Sequence, residues 1–264
     1  MNTKTRLNSP GIRYCLLLIL VLSACKKHQP TPEPPPGEGG KPESPTPLQP
    51  KQIGQAQLEI KLTYSKAGGL LLSFEQSDGL TEKFIYTNQQ QLTTYQRYQK
   101  DELIYFVDYY FDGNEKMIHA AQHAVKLNGK VTTPIGYYDI QLNADRKISD
   151  VKWYGLNNEL LKTFVYNYGE SGMLNTIVST NPEIKQITYT YDNKNGLFKN
   201  VAVAQFLALE NNLFMLHCTA ANILKQTGSG LSASTSYTYN TGGFPLTINA
   251  KDEKGTQTAW KVTY

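Results

Sequence analysis

Residues Ile187–Asn200 read ITYTYDNKNGLFKN, and much of the phrase returns at Ser236–Leu246 as SYTYNTGGFPL. In the first copy Ile187, Tyr189 and Tyr191 alternate with Thr188 and Thr190. A two-residue period puts the apolar set on one face of an extended chain, and β-branched and aromatic residues suit a pleated surface. Asp192–Gly196 follows with Asp, Asn and Gly, which bond their own backbone and tolerate positive φ, so the chain reverses there. The phrase therefore encodes a strand and its turn. Similar phrases end at Tyr64, Tyr86, Phe111, Leu142, Tyr166, Tyr191, Tyr239 and Tyr264, in steps of 22, 25, 31, 24, 25, 48 and 25 residues. Self-similarity at such a period marks a repeat architecture. A second strand follows each turn, as in FPLTINAKD after Asn240–Gly243, so each unit is one hairpin. The expected fold is all-β: a long antiparallel meander, curled into a half-barrel or a porin-like ring.

The alternation stops between Asn200 and Thr227. Val201, Ala204, Phe206, Leu207 and Ala208 permit a short helix before Glu210. The 48-residue step is then two periods, with an α insert around 200–227 occupying one repeat slot. An apolar insert in a curled sheet serves as a cap on an open end or as a lid over a cavity.

The ends of the chain carry a different message. Lys4, Arg6 and Arg13 precede an apolar run, Cys15–Leu22, too short to span a bilayer. This is the layout of a secretory signal over residues 1–24. Leu22-Ser23-Ala24-Cys25 resembles the lipobox of bacterial lipoproteins, which implies cleavage before Cys25 and a diacylglycerol on its thiol. Residues 25–52 form an expected tether, since Lys26–Pro50 hold nine of the 13 prolines and almost nothing apolar. The remaining 53–264 suit one β domain. Loss of the signal leaves 23 basic against 22 acidic residues, so the overall +4 misleads and nothing indicates nucleic acid. Of three cysteines only Cys218 remains a free thiol after processing, which leaves no internal disulfide.

The Tyr-x-Tyr-Asp phrase is similar to the YD repeat of Rhs-type and teneurin-type proteins. The whole chain more closely resembles an uncharacterised Bacteroidetes-type lipoprotein family with degenerate YD-repeat-like β-hairpins behind a lipobox and a Pro-rich tether. Within Tyr189–Phe198, Leu197 stands where that family usually has Pro. The resemblance implies an outer-membrane, lipid-anchored location, facing either the periplasm or the cell surface. The sequence after Cys25 lacks the acidic run of surface-exposed relatives.

Candidate chemistry is sparse. His119 and His123 would share a helical face, but a strand is expected there, and positions four apart then lie about 13 Å from each other, too far for one metal. His217 adjoins Cys218 with no carboxylate partner in view. Asp192–Gly196 is similar to a calcium loop, yet Lys194 sits where an oxygen is needed. No phosphate loop, nucleophile elbow or paired-carboxylate motif is present. The expectation is a non-enzymatic binding or scaffold protein with no cofactor, held at the membrane by its N-terminal lipid, with an unknown protein or glycan partner. A glycan-binding alternative requires exposed aromatics in one row, Trp153 or Trp260 among them. A carrier of an apolar ligand requires a cavity under the insert.

Overall fold

A computed structural model describes residues 47–264 except 67–68, 127–129, 181–182, 212 and 229. The expected signal peptide, Cys25 and the tether up to residue 46 lie outside the described residues. Sixteen antiparallel strands follow in chain order. They are β1 (Gln52–Gly54), β2 (Glu59–Tyr64), β3 (Leu71–Gln76), β4 (Leu80–Tyr86), β5 (Leu92–Gln99), β6 (Glu102–Phe111), β7 (Met117–Lys126) and β8 (Val131–Leu142). Then come β9 (Ile148–Tyr154), β10 (Leu160–Tyr168), β11 (Leu174–Thr180), β12 (Lys185–Tyr191), β13 (Ile223–Gly228), β14 (Leu231–Tyr239), β15 (Pro245–Lys251) and β16 (Gln257–Thr263). Each strand pairs with its sequence neighbours, and β1 joins β2 to β16, so the sheet closes into a barrel. The seam is three residues long: Gln52, Ile53 and Gly54 face Thr263, Val262 and Lys261 on one side and Lys61, Ile60 and Glu59 on the other. Closure leaves no unpaired edge.

The recurring phrases fall at the C-terminal ends of the eight even-numbered strands, and their tyrosines share one task. Tyr64 donates its hydroxyl to the carbonyl of Pro50 (2.8 Å), Tyr86 to Leu71 (2.7 Å) and Tyr168 to Ile148 (2.8 Å). Tyr191 donates to Leu174 (2.8 Å), Tyr237 to Ile223 (2.8 Å) and Tyr264 to Pro245 (3.0 Å). In each case the acceptor lies at or just before the start of the preceding odd strand. A register shift precedes Tyr64, Tyr86, Tyr168 and Tyr191 in their ladders. Bulges of this kind re-aim side chains. The ring covers the core and the hydroxyl satisfies a rim carbonyl. Phe111 and Leu142 hold the equivalent places on β6 and β8 and have no hydroxyl to offer.

The turns on this rim are built alike. Asn143, for example, accepts the amides of Asp145 and Lys147 on its side-chain oxygen (3.0 Å each), and Arg146 takes a left-handed φ of 60°.

The insert departs from expectation in two ways. It runs from Asp192 to Asn222, because residues 223–227 belong to β13. It also displaces no repeat: it replaces the turn between β12 and β13, and the long step is simply a long connection. Helix α1 (Ala204–Glu210) and a 3-10 turn (Phe214–His217) lie within it. Leu207 and Leu216 are wholly buried, and Phe198 and Met215 nearly so. Phe206 packs edge-on against Tyr109 of β6, and Gln205 accepts the amide of Ile148 on β9 (3.0 Å). His217 packs on Tyr189 of β12 (5.8 Å). The insert thus touches widely separated walls and plugs the ring. Each fully buried Leu or Phe contributes about 1.5–3 kcal/mol, enough to hold so short a helix in place.

The buried face is mostly apolar, and the outer face mixes polar side chains with exposed Leu72, Ile85, Ile104, Leu160, Leu161 and Leu246. On β2, Ile60 and Leu62 are buried while Lys61 and Thr63 are exposed; on β14, Ser232, Ser234, Ser236 and Thr238 are all exposed. Lys83, Lys152 and Lys261 project outward from other strands. A lipid-facing barrel wall needs an apolar band, and a lysine at the bilayer midplane costs about 2–4 kcal/mol.

Candidate functional site

A cavity of about 390 Å³ opens on the rim that carries the tyrosines, between the insert and the ends of β4 to β11. Its floor is apolar, from Leu92, Phe111, Leu142, Tyr166, Val203 and Phe206. Phe111 and Leu142, which stand in place of hydroxyl-bearing tyrosines, line it between the clasp residues Tyr86 and Tyr168. Its lip carries Arg146, Lys147 and Lys199, with Asp145 the sole acid among the lining residues. Lys147 is held by the carbonyl of Gly172 (2.6 Å) and sits 5.4 Å from the centre of the Tyr168 ring. Arg146 pairs with Glu115 (2.5 Å), and Lys199 donates to Asn195 (2.8 Å). Burial pushes the Tyr168 phenol up to about 12, so it stays neutral.

The N-terminal end of the described chain reaches the same rim. Gln49 donates to the carbonyls of Gly69 (2.6 Å) and Asn200 (2.7 Å), and Asn200 donates to that of Leu48 (2.8 Å). Leu70 and Lys199, adjacent in sequence to those partners, line the cavity.

A second cluster lies between the insert and the wall of β4 and β5. Glu82 of β4 is wholly buried. Its Oε1 accepts the Tyr95 hydroxyl, Arg97 Nη2 (3.0 Å) and Asn211 Nδ2 (3.0 Å). Arg97 Nη2 also reaches the Glu210 carbonyl (2.7 Å). These bonds latch the end of α1 to the wall. The Glu210 carboxyl is pushed up to about 7, chiefly by burial, with Arg97 opposing. Tyr105 and Tyr109 are raised above their ordinary range, again chiefly by burial. The cavity lining includes none of Glu82, Arg97 or Glu210. Sequence inspection missed this group because its members are far apart in the chain, and only closure of the barrel around the insert brings them together.

The other sequence candidates resolve individually. His119 and His123 both lie on β7; His119 pairs with Asp139 (2.9 Å) and His123 stacks on Phe106 (4.5 Å). Among the described residues no three His, Cys, Asp or Glu side chains gather in a metal-binding group. Asp192 spends its carboxylate on the Asn222 amide (3.0 Å), the Asn222 side chain (3.1 Å), the Lys194 amide (3.0 Å) and the Tyr239 hydroxyl, fixing the entry to the insert. Burial pushes Cys218 up to about 12 and His217 down to about 4, so both are neutral near pH 7 and the thiol is no nucleophile. Trp260 is buried and Trp153 packs on the core, so neither joins an exposed row. Such a row does exist across β6–β9, from Tyr110 through His119 and Tyr137 to Tyr154. Tyr137 and Tyr154 stack face to face, 4.8 Å apart and 17° from parallel. Their faces meet each other, as in cross-strand pairs that stabilise a sheet.

No family model matches the chain, and no curated protein does. Solved structures share similarity at low identity. A porin-like protein from Bacteroides uniformis is 13% identical with a TM-score of 0.41, over 81% of this chain and 96% of the other. A porin-like protein from Bacteroides vulgatus is 10% identical with a TM-score of 0.38, over 82% and 99%. The Photorhabdus luminescens Tc holotoxin pore is 19% identical with a TM-score of 0.32, and only 10% of that chain is covered. Identities this low leave function to be argued from the chain's own residues.

Proposed function

We propose that this is a lipid-anchored, non-enzymatic envelope protein of the Bacteroidetes-type lipoprotein family it resembles. In this reading its barrel stands in water and holds a small apolar ligand in the rim cavity. The observation that carries the reading is the combination of outward lysines on β2, β4, β9 and β16 and a largely apolar cavity left between insert and rim. A barrel with outward Lys61, Lys83, Lys152 and Lys261 does not sit in hydrocarbon, so membrane attachment falls to an acyl group on Cys25. The cavity volume lies within the usual range for small-molecule sites, about 300–1,000 Å³.

Two measurements test this. The wild-type chain partitions with outer membranes and the Cys25→Ser chain is released as a soluble, folded barrel; a C25S chain that stays in the membrane after a high-salt, high-pH wash refutes the anchor. The neutral dye N-phenyl-1-naphthylamine fluoresces on entering the cavity, and Val203→Trp, which fills it, abolishes the signal. Dye binding that V203W leaves intact refutes the cavity.

A further inference from the structure

Resting on that reading of the cavity, we infer that its ligand is a single-chain amphiphile with an anionic head, a carboxylate or a phosphate monoester, whose chain lies on the apolar floor and whose head docks on Lys147 and Lys199. Charge complementarity selects this class. The floor offers Leu92, Phe111, Leu142 and Phe206, and the lining as a whole is more apolar than polar, so a polar chain would lose hydrogen bonds over that floor. The lip is basic, and its cations are not equivalent. Arg146 is committed to Glu115, whereas neither Lys147 nor Lys199 has a carboxylate within ion-pair distance among the described residues. An ammonium carries three donors, and the Gly172 carbonyl engages one of those on Lys147. That bond and the Tyr168 ring hold the ammonium over the apolar floor before any ligand arrives, which lowers the ordering cost of binding. Lys199 is exposed and follows Phe198, which anchors its backbone in the core. A cavity of about 390 Å³ is at the small end of ligand sites, which favours one chain over a two-chain lipid.

Displacement of N-phenyl-1-naphthylamine from the full-length protein separates the possibilities. Laurate and 1-lauroyl-lysophosphatidate are expected to displace the dye at concentrations at least tenfold below dodecanol, and dodecyltrimethylammonium is expected to be weaker still. Whichever anion is stronger identifies the head. Lys147→Gln should weaken the anionic competitors about tenfold and leave dodecanol unchanged, with Lys147→Arg restoring them. Retained dye binding shows that the variants are folded. If all four competitors act equally, or if K147Q shifts dodecanol as much as laurate, the anionic head is refuted while the apolar cavity stands. If the dye itself does not bind, it is the cavity reading that falls.

Discussion

Replacing Glu210 by Gln should change how stability depends on pH, and the sign follows from two buried groups that oppose each other. The Glu210 carboxyl moves from 4.5 to about 7 on folding. Its folded value is raised, so its contribution is complete below pH 4.5 and is lost as pH climbs through 7. A tenfold change in proton affinity is worth about 1.36 kcal/mol, so the loss is about 3 kcal/mol. His217 moves from 6.5 down to about 4. Its folded value is depressed, so stability is complete above pH 6.5 and is lost as pH falls towards 4. Between pH 4.5 and 6.5 the two slopes cancel in the native protein. Glu210→Gln removes one of them. Urea unfolding at a series of pH values should show the variant gaining about 3 kcal/mol relative to wild type between about pH 4.5 and 7.5, with the His217 slope uncovered. Other carboxylates cancel in the difference. Parallel profiles for wild type and E210Q would mean that Glu210 is not a desolvated carboxyl against the barrel wall.

Further outcomes follow from single contacts. Tyr86→Phe removes the hydroxyl that binds the Leu71 carbonyl and should cost about 1 kcal/mol in urea unfolding; Tyr191→Phe on the far side should cost as much, and the double variant should be additive. Gly136 has φ +152°, and an added Cβ would meet the Tyr154 carbonyl oxygen at 2.3 Å, so Gly136→Ala should lower stability by about 2 kcal/mol or more. Leu207→Ala opens space under the insert and should cost about 2–5 kcal/mol, read as a lowered thermal midpoint. Asp192→Ala frees the turn that launches the insert, and amide exchange in residues 193–222 should rise well before exchange in β14–β16, because their ladder does not depend on that carboxylate.

Period-two alternation, the turn chemistry of Asn, Asp and Gly, and the regular return of Tyr were all readable along the chain, because each depends on residues within one hairpin. From them follow the strands, their antiparallel sense and the broken pattern that marks the insert. The helix before Glu210 was legible for the same local reason. Closure was not: β1 is three residues long, too short to show any period, and it matters only because Ile53 meets Ile60 and Val262 at once. The insert's true end was hidden too, since Ile223 and Leu224 follow Ala220-Ala221-Asn222 with no Gly or Pro to mark a boundary. The tyrosine clasps, the Glu82–Arg97–Glu210 latch and the cavity lip of Lys147 and Lys199 join residues from different hairpins. Alternation along the chain assigns a face to each side chain. Only the wrapping of the sheet around its plug decides which faces meet, because hydrogen-bonded ladders fix neighbours while burial of Leu207, Leu216 and Phe198 fixes what fills the ring.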